Sequence, residues 1–207
     1  MNNLMLEIRD KTNTLHKATE NSGFTQRLLN KKANVESYAD YIYNLSFVYE
    51  AIEKNLNHYS DVPEVKPFVT PEIYRTESIR RDVKSLINNK DLKILPSTLA
   101  YVDRINSIAE KNPKLIIAHA YTRFLADLFG GRMFYSILKK HYKLNDNALN
   151  YYVYDNLSDI KAYVMNYHNM LNSLELKDDE KDTFILEICN SYIYNMGISN
   201  ELDSELF

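Results

Sequence analysis

The sequence predicts an all-α, single-domain helical bundle, and three observations point to this fold class. Only four glycines and five prolines occur among 207 residues, which is far fewer than a turn-rich all-β fold requires. Apolar residues recur at three- and four-residue steps through most of the chain, and no strand-like alternation occurs. Apolar residues make up 45% of the chain and charged residues 26%, so one globular domain over residues 1–207 accounts for the whole sequence.

The predicted helices can be placed in order along the chain. Residues 3–20 carry an apolar stripe at helical spacing, and a longer stripe covers residues 35–57, with Asn34 as its N-cap. Closely spaced prolines then break the pattern, which makes residues 58–77 an extended connection. The remaining helices are expected at residues 79–86, 96–111, 113–143, 157–173 and 179–197.

The composition excludes several classes of protein. A net charge of −3 without a dense Lys/Arg run argues against a nucleic-acid partner. A single cysteine, Cys189, excludes a disulfide framework and a multi-thiolate metal site. No apolar run approaches the roughly 18 residues that span a bilayer, and the N-terminal stretch lacks the pattern of a signal peptide. We therefore expect a cytoplasmic protein with no membrane partner.

Two adjacent glycines interrupt a strongly apolar helical segment at Gly130 and Gly131. A glycine inside a helix costs about 0.5–1 kcal/mol relative to alanine. One interpretation is a loop between two helices. The other is a helix bent at the pair because something flat approaches its backbone where no Cβ stands. Asp127 lies one turn earlier among apolar neighbours, where a carboxylate must be exposed or must hold water or a partner. A ligand site is therefore possible here.

Three polar residues share one face of the first predicted helix. Glu20 follows His16 by four residues, and Arg9 precedes it by seven. Glu20 can accept a hydrogen bond from Nδ1–H of the imidazole, which leaves Nε2 free to bind a metal. An exposed His–Glu pair on an amphipathic helix is the competing interpretation.

The other histidines have less support as ligands. His119 lies in the middle of an Ala-rich helical stretch, as expected of a core residue, and His58 and His141 fall at predicted helix ends, where a cation suits the helix dipole. No Glu-x-x-His or His-Glu-x-x-His spacing occurs, which disfavours a di-iron bundle and a helix-borne zinc site.

Two motifs resemble those of the haem oxygenase family, and they occur in the family's order. The segment AHAYTRFLADLFGG at 118–131 is similar to the family's distal-helix motif, and LHKATE at 15–20 resembles the stretch around its proximal histidine. The turn Asn172–Glu175 and the residue Asn195 match two further family features. The resemblance covers nearly the whole chain. It implies a soluble bacterial type of the family, with haem held between the N-terminal helix and a glycine-kinked distal helix.

The resemblance also implies a role for each matching residue. His16 is implied to be the iron ligand, with Glu20 as its hydrogen-bond partner. Asp127 is implied to be the distal carboxylate that orders water above the iron. The matching residues of the distal network are Tyr49, Arg123 and Asn195. The residues expected to contact haem or its propionates are Arg9, Glu20, Tyr121, Ala126, Gly130, Gly131, Lys161, His168, Tyr192 and Asn195.

This sequence departs from the family pattern at four positions. Ala126 replaces a glycine, and its added methyl group is expected to push the haem plane or displace distal water. Phe129 replaces a serine and is expected to face the core. Val164 and His168 stand where the family has basic residues for the propionates, and Lys161, one turn earlier on the same face, is expected to compensate. These changes are expected to affect rate and regiochemistry more than haem binding.

The activity implied by the resemblance is oxidative cleavage of haem at the α-meso carbon with O₂, giving biliverdin, CO and ferrous iron. Electrons must come from outside, because the chain shows no flavin, Rossmann or iron–sulfur motif. A ferredoxin or flavodoxin with its reductase is the expected donor, and Arg132, Lys139 and Lys140 offer it a basic surface.

Two alternatives to this activity stay open. One is a haem carrier or sensor that keeps the pocket but has lost turnover. The other is a related all-α fold that uses Cys189 as a nucleophile, as thiaminase-like proteins do. The apolar stripe around Cys189 favours a buried, inert thiol instead.

Overall fold

Nine α-helices account for most of the computed structural model, which describes residues 3–87 and 91–206. The helices are α1 (Leu4–Glu20), α2 (Gly23–Leu29), α3 (Val35–His58), α4 (Thr76–Leu86), α5 (Pro96–Lys111), α6 (Ile116–Ala120), α7 (Ala126–Lys140), α8 (Ile160–Asn172) and α9 (Asp178–Leu206). A π-helical segment, Tyr121–Leu125, joins α6 to α7. The described ranges contain no strand, and the predicted all-α fold class is confirmed.

The start of α3 follows the predicted capping chemistry. The side chain of Asn34 accepts a hydrogen bond from the backbone N–H of Ser37 at 2.7 Å. In return, the hydroxyl of Ser37 accepts from the backbone N–H of Asn34 at 3.1 Å. This reciprocal capping box satisfies donors that a helix start would otherwise leave unpaired. It confirms the N-cap that the sequence predicted.

The connection between α3 and α4 is more ordered than predicted. Residues 58–77 were expected to be extended, but two 3₁₀ turns, Lys66–Phe68 and Pro71–Ile73, lie within them. Proline cannot continue an α-helix, yet it is accepted in the first positions of a helical turn. Both turns are anchored because Phe68 and Ile73 are fully buried. The connection therefore packs on the core.

Sequence analysis did not predict α2. This seven-residue helix buries Phe24 and Leu28. Its start is tied to α9, because the backbone N–H of Thr25 donates to the hydroxyl of Ser199 at 2.9 Å. A helix this short is marginal by itself in water, so tertiary packing decides its presence.

The segment predicted as one helix over 113–143 is helical through Gly130 and Gly131, which both lie within α7. The loop interpretation of the glycine pair is therefore wrong. The departure from α-helical hydrogen bonding lies one turn earlier, at Tyr121–Leu125. A π-helical turn of this kind is frequent at functional sites.

The last helix, α9, runs along the core and contacts α1, α2, α3, α5 and α6. It extends beyond the predicted end at residue 197 to Leu206. The last residue of α8 is bonded to the N-terminal helix, since the side-chain oxygen of Asn172 accepts from the backbone N–H of Met5 at 3.0 Å. In α1, Leu4, Ile8 and Thr12 are buried. These contacts fix α1 in place. Among the described residues, no helix is both long and apolar enough to cross a membrane.

Gly23 and Gly197 offer a test of the α2–α9 contact. Gly23 has φ of +36°, and a Cβ there would lie 2.4 Å from the carbonyl oxygen of Ser199. Because both strain and overlap result, we expect Gly23→Ala to lower the free energy of unfolding by about 2 kcal/mol or more.

The matched control is Gly197→Ala, a substitution within α9. Its Cβ would lie 3.8 Å from Cβ of Ser97, which is an ordinary van der Waals distance. It is expected to leave stability unchanged or raise it by up to about 1 kcal/mol. Urea unfolding followed by circular dichroism measures both variants. Equal stability of the two alanine variants would contradict the close approach at Gly23.

Candidate functional site

A cavity of about 900 Å³ opens between α1 and the start of α7. Arg9 and His16 of α1 line one side of it, and Ala126, Asp127 and Gly130 line the other. The volume falls in the range of small-molecule and cofactor sites. The two motifs that the sequence analysis singled out, at 15–20 and 118–131, therefore meet across one cavity.

His16 presents its imidazole to the cavity from α1. Its side chain is 46% exposed, and its Nε2 lies 3.8 Å from Oε1 of Glu20. That distance is too long for a hydrogen bond, and the nitrogen it joins to Glu20 is Nε2, the one that the sequence analysis left free for a metal. Both side chains are well exposed, and helical spacing alone does not fix their rotamers against competition from water. The ring of Tyr192, which also lines the cavity, meets the imidazole edge-on at 5.7 Å.

The cations expected around the cavity are only partly present. Arg9 and His168 line the cavity together with Tyr121. Val164 is buried, as befits an apolar residue. Lys161 is exposed and lies outside the lining, and its expected compensation for Val164 and His168 stays a prediction. Its ammonium group remains in solvent because burying it without a partner is costly.

Asp127 lies at the centre of a polar cluster on the α7 side of the cavity. Its Oδ2 accepts a hydrogen bond from the hydroxyl of Tyr151 at 2.7 Å. The guanidinium of Arg123 lies 3.4 Å from both carboxyl oxygens and donates to the Tyr151 hydroxyl at 2.9 Å. Burial raises the pKa of Asp127 to about 8, and the hydrogen bond from Tyr151 partly opposes that shift. The carboxyl group is therefore mostly protonated at neutral pH.

Tyr49 and Asn195 complete the cluster behind Asp127. The side-chain oxygen of Asn195 accepts from Arg123 at 3.0 Å. The hydroxyl of Tyr49 lies 3.4 Å from Nη2 of Arg123 and 3.3 Å from the hydroxyl of Tyr151. Asn195 reaches the cavity lining, whereas Tyr49 is fully buried behind it. The sequence analysis placed both residues in the network that the structure brings together.

The two glycines of α7 have different surroundings. A Cβ at Gly130 would meet nothing within 4 Å, and this residue lines the cavity. A Cβ at Gly131 would lie 3.1 Å from the ring of Tyr152. Gly131 lies outside the cavity lining and instead allows Tyr152 to pack closely against α7. Only Gly130 leaves open space for a ligand.

The two substituted positions beside the glycines both face the cavity. Ala126 is exposed and lines it, as expected. Phe129 was expected to face the core, but it lines the cavity with 62% of its surface exposed. Helical geometry explains the correction, since Phe129 follows Ala126 by three residues and so lies on nearly the same face of α7.

His119 and Cys189 lie away from the cavity lining. His119 is fully buried, with Nε2 2.9 Å from Glu187 and Nδ1 3.1 Å from the hydroxyl of Tyr101. The prediction of a hydrogen-bonded core histidine is confirmed. Cys189 is half-buried, and burial raises the pKa of its thiol. A thiol in this state is a poor nucleophile at neutral pH.

The family model for heme oxygenase matches residues 2–201. The chain belongs to the heme oxygenase family. The heme oxygenase of Porphyra purpurea is 34% identical, over 100% of this chain and 89% of that protein. Heme oxygenase 1 of the cyanobacterium Synechocystis is 30% identical, over 99% of this chain and 86% of that protein.

Solved structures of the family share the fold. The crystal structure of heme oxygenase-1 from Synechocystis in complex with heme superposes with a TM-score of 0.93 at 30% identity, covering 99% of this chain and 94% of that chain. Heme oxygenase from Leptospira interrogans gives a TM-score of 0.90 at 28% identity, covering 96% of this chain and 99% of the other.

Several site residues were not found from the sequence. Tyr151 and Tyr152 line the cavity from a loop segment between α7 and α8, and Tyr41 of α3 lines it as well. Thr25 and Leu29 reach it from the unpredicted α2. The only available signal was the tyrosine-rich run at 151–154. In a chain with 17 tyrosines, that run did not stand out.

The raised pKa of Asp127 makes stability depend on pH. Because this pKa is about 8 in the folded protein against an ordinary value of 3.8, the folded state keeps a proton that the unfolded state releases. The resulting stability is present below about pH 4 and is lost as the pH rises through about 8. The amide of Asp127→Asn does not titrate in this range.

We therefore consider the difference obtained by subtracting the free energy of unfolding of the unaltered protein from that of Asp127→Asn. This difference is expected to rise between pH 4 and 8 and to level off above pH 8. Urea unfolding of both proteins at pH 5, 7 and 9 measures this difference. A constant difference over the three pH values would show that Asp127 is ionised throughout.

Proposed function

We propose that this chain cleaves haem oxidatively at the α-meso carbon, producing biliverdin, CO and ferrous iron from haem, O₂ and external electrons. Its membership of the heme oxygenase family supports this reaction, as does the heme complex of its Synechocystis relative. The observation that carries the proposal is the cavity itself, with the imidazole of His16 on one side and the carboxyl of Asp127 on the other.

The residues of the cavity fit haem as substrate and prosthetic group. A haem needs a ligand for its iron, an apolar slot for its plane and cations for its propionates. His16 supplies an imidazole, and Arg9 supplies a cation on the same helix. Gly130 leaves a space on the opposite side that a Cβ would fill. Leu125, Met133 and other apolar side chains contribute to the lining.

When bound, haem supplies the iron that activates O₂ and the porphyrin edge that is oxidised. The part of the protein is to hold the ring and to manage protons. The imidazole of His16 would hold the iron from the α1 side. Arg9, Tyr121 and His168 lie along the same cavity and are suited to orient the propionates.

Asp127 handles the proton on the opposite side. With a pKa near 8, its carboxyl group holds a proton at neutral pH and can give it up as a general acid. Arg123 and Tyr151 hold both carboxyl oxygens. Ala126 and Phe129 shape the wall beside this carboxyl group, so they are suited to influence which edge of the ring reacts.

The electron donor is an external protein of the ferredoxin or flavodoxin kind with its reductase. Arg132 and Lys140 are exposed on α7, and their charge favours an acidic partner. Lys139 contributes less to such a surface, because its ammonium group lies 2.5 Å from the carboxylate of Asp146. A single cysteine suits a reducing compartment such as the cytoplasm.

The first test of this function is the His16→Ala variant. It removes the imidazole from the α1 side, so we expect the spectrum of bound ferric haem to lose the bands that report nitrogen coordination, and added imidazole to restore them. The matched control is His58→Ala, which removes an imidazole at the end of α3, away from the cavity. Unchanged bands in His16→Ala would overturn the assignment of the ligand.

The second test is the Asp127→Ala variant. We expect it to bind haem like the unaltered protein but to lose most ring opening, since the proton donor is absent. Absorbance of the bilin product, formed with ascorbate or a reductase, measures turnover. The control is Asp155→Ala, which removes an exposed carboxylate outside the cavity. A normal bilin yield from Asp127→Ala would remove Asp127 from the mechanism.

A further inference from the structure

Tyr151 makes the shortest of the hydrogen bonds that hold Asp127. The distance from its hydroxyl to Oδ2 is 2.7 Å, whereas Nη2 of Arg123 lies 3.4 Å from either carboxyl oxygen. The side chain of Tyr151 is 1% exposed. The Tyr151 end of this contact is therefore buried, while the Asp127 side chain is 13% exposed, and this low exposure strengthens the bond.

The direction of this hydrogen bond follows from the donors around it. Nη2 of Arg123 donates to the Tyr151 oxygen at 2.9 Å, and a guanidinium can only donate. The phenolic oxygen of Tyr151 is thus an acceptor toward Arg123. Its own proton can go to Oδ2 of Asp127 at 2.7 Å or to the hydroxyl of Tyr49 at 3.3 Å. The shorter distance assigns the proton to Asp127, so Tyr151 donates to the carboxyl group.

The segment that carries Tyr151 is not an α-helix, yet α4 holds it firmly. Tyr151 belongs to the 3₁₀ turn Asn150–Tyr152. The buried carboxylate of Asp82 accepts from the backbone N–H of Asn150 at 2.9 Å and from that of Tyr151 at 2.7 Å. A charged acceptor makes both bonds strong.

A second buried charge holds the other end of the same segment. Nη1 of Arg75, at the start of α4, donates to the carbonyl oxygen of Val153 at 2.6 Å. The carboxylate of Glu53 in turn accepts from the backbone N–H of Arg75 at 2.6 Å. All three of these charged residues, Asp82, Arg75 and Glu53, are buried. Burying charge is costly and is tolerated only where partners are fixed.

We propose that Tyr151, anchored from α4 by Asp82 and Arg75, is a positioning residue that holds the Asp127 carboxyl group and stabilises its ionised form after the proton has left. The part of this inference that concerns catalysis rests on the proposed function. The hydrogen bonds from which it is argued join residues of the protein and do not involve haem. Asp127 is thereby coupled to α4, which contributes nothing to the cavity lining.

The chemical consequence follows from the direction of the bond. A donor to a carboxylate favours its charged form, so Tyr151 lowers the pKa of Asp127 against the effect of burial. Without the hydroxyl, the carboxyl group binds its proton more tightly and keeps only the longer contacts to Arg123 at 3.4 Å. It then gives the proton up less readily during turnover.

The test compares Tyr151→Phe with Tyr154→Phe in the haem-free protein. Tyr154 lies in the same segment, and its buried hydroxyl has no hydrogen-bond partner among the described residues, so it is a matched control. The measurement is the titration of the Asp127 carboxyl carbon by ¹³C NMR. We expect the midpoint to rise by about one pH unit in Tyr151→Phe and to stay unchanged in Tyr154→Phe. An unchanged midpoint in Tyr151→Phe would overturn the inference.

A second variant tests the anchor and guards against misfolding of the first. Asp82→Asn keeps the Tyr151 hydroxyl but weakens the hold on its backbone, so the Asp127 midpoint is expected to move upward by a smaller amount. If Asp82→Asn leaves the midpoint unchanged, α4 does not position Tyr151. Circular dichroism and thermal unfolding establish that each variant folds.

Turnover separates this inference from the proposed function. With haem bound, Tyr151→Phe is expected to keep haem affinity and slow bilin formation several-fold, with its pH profile displaced upward in parallel with the titration. If the unaltered protein forms no bilin at all, the proposed function fails while the haem-free titration still decides the role of Tyr151. A slowed Tyr151→Phe variant with an undisplaced pH profile would show a merely structural effect and contradict the inference.

Discussion

The buried guanidinium of Arg123 is the interaction on which the α7 side of the cavity depends. It donates to Asn195 of α9 and to Tyr151, and it lies 3.4 Å from the carboxyl oxygens of Asp127. The guanidinium carbon Cζ of Arg123 also lies 5.2 Å from the ring centre of Tyr49 in α3. A charge removed from water must be compensated by such contacts. The contacts that compensate Arg123 come from α3, α7, α9 and the segment of Tyr151, so these distant parts of the chain meet around its guanidinium group.

The polar contacts continue beyond Arg123 into the core. The amide of Asn195 reaches the hydroxyl of Tyr101 at 3.5 Å, and that hydroxyl lies 3.1 Å from Nδ1 of His119. Burial lowers the pKa of His119, which favours a neutral imidazole. His119 is thus structural support behind the cavity. A fixed second layer of this kind holds functional side chains in one geometry.

The two sides of the cavity are built differently. On the α1 side, buried apolar residues fix the backbone of the helix, while Arg9 and His16 extend from it with considerable freedom. On the α7 side, Asp127 is locked by hydrogen bonds to its neighbours. The exposed side chains on α1 can adjust to a bound ligand, whereas the hydrogen bonds around Asp127 hold its carboxyl group in one geometry.

Local patterns in the sequence were enough to predict the fold class and most of the helices, and they singled out His16 and Asp127, which line the same cavity. Helical periodicity reports burial directly, and the motif around His16 lies within the single helix α1, where spacing fixes which residues share a face. The motif around Asp127 runs through α6, the π-helical segment and α7. The short helix α2 escaped prediction because seven residues carry too little local signal, and packing on α9 decides its existence.

Contacts between side chains far apart in sequence could not be predicted and arise from packing of the folded chain. The hydroxyl of Tyr151 reaches Asp127 across 24 positions, and Asp82 holds the backbone of Tyr151 across 69. In the structure, Phe129 faces the cavity and Lys161 is exposed to solvent. Gly130 and Gly131 have different neighbours, although they are adjacent in sequence. Periodicity shows which face of an element is buried. It does not show which partner covers that face, because the partner comes from packing of the whole chain.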